Sequence, residues 1–421
     1  MNPGTTPTNT THTDANTPLR DGISLPQRHQ GAQTPQTPGL GGATLDALYV
    51  HVPFCFHKCH YCDFYSIERT DPASFLAYTR RLLDELSHRA GEVRLRPASV
   101  FVGGGTPTLL PPERWREILD ALQALGVLDA VREFTVEANP ETVTPELLDT
   151  LRRGGVNRMS LGAQSFDPAA LKTLERWHDP RSVTRAVALA REAGIDNLNL
   201  DLIFATPGQP RDSFERDLDA ALELDPDHLS CYALTFEPGT ALHQRMKLGL
   251  IEPMDEDEQA WRFERVLDRL RDAGFEQYEV SNWARQRPGE RRDRRCLHNL
   301  AYWRNLNWLA LGPSGASHVD GLRWRNRPQL TAYLDSTGPA PAIDIERLEP
   351  EARVGERLMI GLRLLEGIER SWLEAQVPTD HPRAAAIDRF VAQGLLERSP
   401  DRLRLSRRGL LVADAMFAEL L

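Results

Sequence analysis

His51 to Ser66 reads "HVPFCFHKCHYCDFYS", and it holds Cys55, Cys59 and Cys62, three of the five cysteines in the chain. The spacing Cys-x3-Cys-x2-Cys puts three thiols on one tight loop. Cys231 and Cys296 stand alone, so the cysteines make a poor disulfide framework and a good metal site in a reducing compartment. Two metals suit the pattern. Zinc needs four ligands, and the fourth could come from His51, His57 or His60. A [4Fe–4S] cluster is normally held by four thiolates. With three, one iron keeps an open coordination position to which a substrate can bind.

Outward from this loop, short apolar runs alternate with amphipathic stretches. The runs are "ALYVHV" (47–52), "SVFVGG" (99–104), "EFTVEAN" (133–139), "VNRMSLG" (156–162), "NLNLDLIF" (197–204) and "HLSCYAL" (228–234). Segments of helical spacing such as "SFLAYTRRLLDELSHRA" and "PERWREILDALQALG" lie between them. Strand–helix alternation repeated six times predicts parallel strands with helical crossovers, either an open doubly wound sheet or a TIM-like barrel. In a barrel the functional groups gather at the C-terminal ends of the strands. The residues there are His51 and Cys55, Gly103 to Gly105, Glu137 and Asn139, Gln164, and Asp201. The run "GGGTPT" (103–108) lets backbone approach a ligand closely. A carboxylate at the end of an apolar strand, as at Glu137, needs a partner.

The flanks differ in kind. Residues 1–43 are rich in Thr, Pro, Gln, Asn and Gly and nearly lack large apolar side chains, which predicts a disordered tail with no apolar core of a secretory signal. Residues 44–335 are expected to form the barrel with its extension. A proline-rich link, "STGPAPAID" (336–344), leads to a small domain at 345–421 with a helix, a two-stranded turn and a closing helix, a pattern of winged-helix character. The length of 421 residues and a 41% hydrophobic share suit a soluble two-domain protein, and a net charge of −10 argues against general nucleic-acid binding. No apolar run is long enough to span a bilayer.

Cys-x3-Cys-x2-Cys just after the first strand resembles the radical S-adenosylmethionine (SAM) superfamily. "YVHVPFC", "FVGGGTPT", "VEANP", "MSLGAQSF", "DLIFATPGQ", "YEVSNWA" and "HNLAYW" also occur in the order seen in HemN-like proteins, over about residues 45–420. That group comprises oxygen-independent coproporphyrinogen III oxidases and HemW-type heme chaperones. The resemblance implies an α/β fold, a partial TIM-like (β/α)6 radical SAM barrel with a small winged-helix-like C-terminal domain. It implies a [4Fe–4S] cluster on Cys55, Cys59 and Cys62, with SAM chelating the fourth iron. The SAM contacts it implies are Tyr49, Tyr61, Gly104, Gly105, Thr106, Glu137, Gln164, Arg176 and Asp201; Thr235 and Ala316 match more loosely. Phe54, Phe56 and Tyr61 are expected to exclude water from the cluster, and Lys58 to offset its negative charge. Ala205-Thr206 and the bulky Trp177 depart from the family pattern.

Two features select the branch. The oxidases carry a fourth cysteine two residues after the third, where this chain has Phe64. "HNLAYW", His298 to Trp303, matches the H-N-x-x-Y-W motif associated with heme binding in the chaperones. It implies His298 as an axial ligand with Tyr302 and Trp303 on the porphyrin. The run "RQRPGERRDRR" (285–295) is read as a solvated loop or, more sharply, as arginines (Arg291, Arg292, Arg294, Arg295) for heme propionates or an anionic membrane surface. The resemblance thus implies a cytoplasmic chaperone delivering heme to respiratory proteins, peripheral at the membrane and able to form a homodimer. The rival readings are a coproporphyrinogen III oxidase and a zinc-stabilised binding module.

Overall fold

The computed structural model describes residues 39–287, 289 and 292–421, so the expected tail lies, up to residue 38, outside the described residues. Residues next to it are tied down: Leu40 is buried, and the Gly42 N–H donates to the Glu92 carbonyl at 2.9 Å.

Each predicted run forms a strand: β1 (Ala47–Val52), β2 (Ser99–Gly104), β3 (Glu133–Ala138), β4 (Arg158–Gln164), β5 (Asn197–Phe204) and β6 (His228–Ala233). They pair in parallel in chain order, from Ala47 opposite Ser99 in β1–β2 to Asn199 opposite His228 in β5–β6. Their near-continuous apolar sequences follow from that arrangement, because helices cover the outer face and the inner face closes on itself. The crossover helices Pro72–Ala90, Pro112–Ala124, Pro145–Arg153 and Pro180–Glu192 all carry proline in the first turn, where its missing N–H has no intrahelical partner to lose. Asp71, Thr144 and Asp179 cap three of these helices through their side chains.

Six more strands extend the sheet: β7 (Phe275–Glu279), β8 (Asn282–Arg285), β9 (Trp308–Leu311), β10 (Ala316–Val319), β11 (Leu322–Asn326) and β12 (Ala342–Arg347). The order is β12-β11-β10-β9-β1-β2-β3-β4-β5-β6-β8-β7. The ends do not meet, so the barrel is partial. β9 adds a seventh parallel strand beside β1, which local periodicity could not assign because the partners are some 260 residues apart. The stretch read as a proline-rich link contributes β12, antiparallel to β11, with Ala340 and Ala342 fully buried. Its prolines precede the strand, so the ladder is intact.

Beyond β12, helix Pro350–Gly361, strand Ile368–Glu369, helices Arg370–Gln376 and Pro382–Ala392, and strands Leu396–Arg398 and Arg402–Leu405 follow in winged-helix order, ending in helix Ala413–Leu420. The three short strands form their own antiparallel sheet. One apolar core runs from the barrel into this module.

Candidate functional site

The cysteine loop leaves β1 at Val52 and is stitched to the glycine run after β2. The Gly105 N–H donates to Val52 O (2.8 Å), the Thr106 N–H to Phe54 O (2.7 Å), and the Thr106 hydroxyl to Cys55 Sγ (3.8 Å). Glycine is required for this approach. Gly104 sits at φ +104°, and a Cβ there would stand 2.5 Å from the His51 ring; one on Gly105 would stand 2.5 Å from Phe54 O. From the other side, Arg176 places Nη1 3.6 Å from Cys59 Sγ while Nη2 donates to Gly162 O (2.9 Å). Burial pushes the Cys62 thiol up to about 11 and raises Cys55.

The three thiols line a cavity of about 350 Å³, which adjoins a second of about 440 Å³. Tyr61, Cys62, Arg176 and the glycine run form walls of both. The larger space is bordered by Glu137 and Gln164 from the ends of β3 and β4 and by Asp201 from within β5. Glu137 accepts the Gly104 N–H at 3.1 Å, and burial together with nearby Asp201 raises its pKa from 4.5 to about 7. Asp201 is held by Ser160 Oγ (3.1 Å) and Asn199 Nδ2 (2.8 Å), and burial raises its pKa as well. Gln164 takes a positive φ of 63° where a bulge ends the β4–β5 register. Arg158 acts on both carboxylates, yet burial still raises them, so a further cation in the open space beside them would be favoured.

Every SAM contact implied by the sequence lines this cavity except Tyr49, which lies beneath it with its hydroxyl 3.2 Å from His51 Nδ1. Thr235 also lines it; Ala316 stands exposed on the antiparallel extension. Asn139, expected at a strand end, is on the wall; sequence reasoning missed Ser160 and Tyr232, which are there too. Ser160 was findable, since Arg158, Ser160 and Gly162 alternate along β4 toward the interior. The expected shielding is redistributed. Phe54 turns down onto Phe75 and Tyr78, Phe56 is 68% exposed, and Lys58 is exposed. Arg176 supplies the buried positive charge, and Trp177, stacked on His57 at 4.3 Å, covers the loop.

The histidines do not complete a zinc site. His51 Nε2 is bonded to Tyr65 O (2.8 Å), His57 faces Glu68 (3.2 Å), and His60 faces Glu175 (3.8 Å). Among the described residues no three His, Cys, Asp or Glu side chains converge on a single-ion site. Three thiols spread around a cavity suit a polynuclear cluster instead.

His298 lies at the opposite end of the strands, in helix Leu297–Trp303. It is 1% exposed, with Nδ1 3.2 Å from Ser99 Oγ and Nε2 2.8 Å from the Tyr302 hydroxyl. Its ring stacks on Phe101 at 5.1 Å, and burial holds its pKa at about 3. Glu133, the first residue of β3, accepts the N–H groups of Leu297 (3.0 Å) and His298 (3.3 Å). Trp303 lies under the Arg363 guanidinium at 4.5 Å. The structure therefore does not gather His298, Tyr302 and Trp303 around an opening, because both imidazole nitrogens are already engaged. The nearby arginines are paired as well: Arg292 with Asp196, Arg294 with Asp227, and Arg295 with Asp293. Arg291 lies outside the described residues.

Comparison with known proteins follows this division of the molecule. Residues 49–221 match the radical SAM superfamily and residues 348–412 the HemN C-terminal domain. The heme chaperone HemW of Mycobacterium tuberculosis is 39% identical over 379 residues, covering 89% of this chain and 94% of that protein. The chain belongs to the HemW family. The Bacillus subtilis HemW is 30% identical, with 90% and 99% of the two chains covered. The mouse mitochondrial radical S-adenosyl methionine domain-containing protein 1 is 33% identical, with 90% and 88% covered. The solved structure of the Escherichia coli coproporphyrinogen III oxidase HemN superposes with a TM-score of 0.75 over 91% of each chain at 21% identity, a likeness of fold. As a radical SAM protein, this HemW-family chain has a [4Fe–4S] cluster and SAM as its cofactors. The thiol-lined cavity and the glycine cradle fit them. Among the described residues no helix is long and apolar enough to cross a membrane.

Proposed function

We propose that Cys55, Cys59 and Cys62 hold the [4Fe–4S] cluster, that SAM occupies the adjoining cavity, and that the chain handles heme as cargo, delivering it to recipient proteins. The observation that carries the reading is the shared wall: three thiols, the Gly104–Thr106 backbone and the carboxylates Glu137 and Asp201 border two adjoining cavities. The cluster supplies an open iron and reducing electrons. Glu137 is suited to the SAM ammonium, because a cation there restores the favourable environment that burial removes. Tyr61 offers an aromatic wall, Arg176 offsets thiolate charge, and the Trp177–His57 stack limits water. Heme as cargo rests on the HemW relatives, on Phe64 at the position of the oxidase cysteine, and on the "HNLAYW" helix. Direct ligation by His298 requires Tyr302 to leave Nε2.

Anaerobic reconstitution followed by iron, sulfide and SAM-binding measurements, hemin titration and a coproporphyrinogen III assay on one sample tests this. About four irons per chain, saturable hemin binding and no protoporphyrinogen formation are expected. Bound zinc without sulfide would overturn the cluster, and porphyrinogen conversion would replace the chaperone reading with the oxidase.

A further inference from the structure

A third cavity, of about 550 Å³, opens away from the cysteine loop, between the β9–β11 extension and the C-terminal module. One wall carries His318 on β10 and Arg323 on β11; the other carries Arg353, Glu356 and Arg357 on helix Pro350–Gly361, with Trp372 beside them. His318 Nδ1 is 3.0 Å from the Leu306 carbonyl, so it bears the proton, and Nε2 keeps its lone pair. Nε2 has no hydrogen-bond partner among the described residues. A carbonyl-locked imidazole with a free second nitrogen is how a metal-ligating histidine is prepared.

The rest of the wall suits an anionic, flat ligand. Its two carboxylates are already engaged: Glu356 with Arg323 and with Asn305 Nδ2 (3.1 Å), Asp320 with Asn307 Nδ2 (2.9 Å). Arg353 and Arg357, four residues apart on one helix face, have no acidic partner among the described residues. Arg353 donates only to the Leu348 carbonyl (3.0 Å), and Arg357 lies over the Trp372 ring at 4.5 Å. Two guanidiniums without acidic partners among the described residues can recognise two carboxylates.

We propose that this cavity holds the heme cargo, with His318 as iron ligand, Arg353 and Arg357 on the propionates and Trp372 against the porphyrin; the inference rests on the heme-handling reading above. It also gives the "HNLAYW" helix a role compatible with its burial. Tyr302 packs on Trp308 at 4.8 Å, and Trp308 on His318 at 4.8 Å, so His298 and Tyr302 act as positioning residues for His318.

The test is hemin titration of the full chain, followed by the Soret band and magnetic circular dichroism. Wild type should bind saturably with a histidine-ligated signature. H318A should lose at least about tenfold in affinity together with that signature. H318G should regain the signature with added imidazole. H298A should bind more weakly yet keep the signature, and imidazole should not alter it. R353Q/R357Q, made on exposed side chains, should weaken binding severalfold with the signature intact. Unchanged affinity in R353Q/R357Q, or wild-type affinity and signature in H318A, would overturn the assignment while leaving heme as cargo. Absence of saturable binding by wild type would remove both.

Discussion

The two ends of the parallel strands are built from the same residue types to opposite effect. At the C-terminal ends, polar groups face cavities: Glu137 has one N–H donor and Asp201 as a neighbour, and three thiols sit around open space. At the N-terminal ends, polar groups face each other. Ser99, His298 and Tyr302 form a closed chain, and Glu133 takes up the N–H groups that open helix Leu297–Trp303. Buried polarity without partners is costly and persists where a ligand completes it; buried polarity with partners fixes a fold. The first end is open to a ligand and the second is a bolt.

The largest effect expected is at the open end and leaves the fold alone. Replacing any one of Cys55, Cys59 and Cys62 by alanine should drop reconstituted iron from about four per chain to background. For Cys59 and Cys62, which are only partly buried, the urea unfolding midpoint of the apo-protein should barely move; buried Cys55 should cost somewhat more. Full iron and sulfide retention in all three variants would erase the distinction between the ends. The mirror experiment is at the bolt. Glu133→Ala strands two N–H donors, one buried and one partly buried, and should lower stability by about 2 kcal/mol, read from urea unfolding. Glu133→Gln, which keeps an acceptor oxygen, should recover part of that. A negligible loss would mean that the helix is held by packing alone.

How far these ends were legible follows from how local their partners are. The cysteine loop, the glycine run and the carboxylates at strand ends declared themselves because each is a motif of a few residues at a strand terminus. Arg176 was named only through the family resemblance, as a SAM contact, and its place at Cys59 was not foreseen: Lys58 is adjacent in sequence, yet the guanidinium arrives from 117 residues away, and no periodicity announces it. His298 was read as a ligand on its motif, but its Nδ1 partner, Ser99, is 199 residues upstream, so its satisfaction could only be seen in the folded chain. β9 and β12 were missed for the same reason. Local pattern gives elements and their polarity; which polar groups cancel is a tertiary property.

The ends should also differ in the sign of their pH dependence. Burial and Asp201 hold Glu137 at about 7 against an ordinary 4.5. Its contribution to apo-protein stability is therefore complete below pH 4.5 and is lost as pH rises through about 7. His298 is displaced the other way, to about 3 from 6.5, so its contribution is present above pH 6.5 and is lost as pH falls toward 3. Glu137→Gln should flatten the neutral-to-alkaline limb of stability against pH and leave the acid limb in place. The same variant should weaken SAM binding by about tenfold above pH 7, where the carboxylate is charged, and by less below it. An alkaline limb that persists in Glu137→Gln would assign it to other groups.

The smallest effect expected concerns Trp177, which belongs to neither end in a simple way. It is 66% exposed, yet its ring lies on His57 at 4.3 Å and 17° between planes, directly over the cysteine loop. Little apolar area is removed from water there, so Trp177→Ala should change the stability of the apo-protein by about 1 kcal/mol or less. Access is a different matter. The His57 Nε2 beneath is buried with no hydrogen-bond partner among the described residues, and removing the indole opens that side of the loop to water. Iron loss from the reconstituted protein to a strong chelator should then run severalfold faster in Trp177→Ala, while Trp177→Phe, which keeps a ring for stacking, should stay near wild type. Equal rates in all three proteins would make the stack a surface contact and leave Arg176 and the loop backbone to guard the cluster.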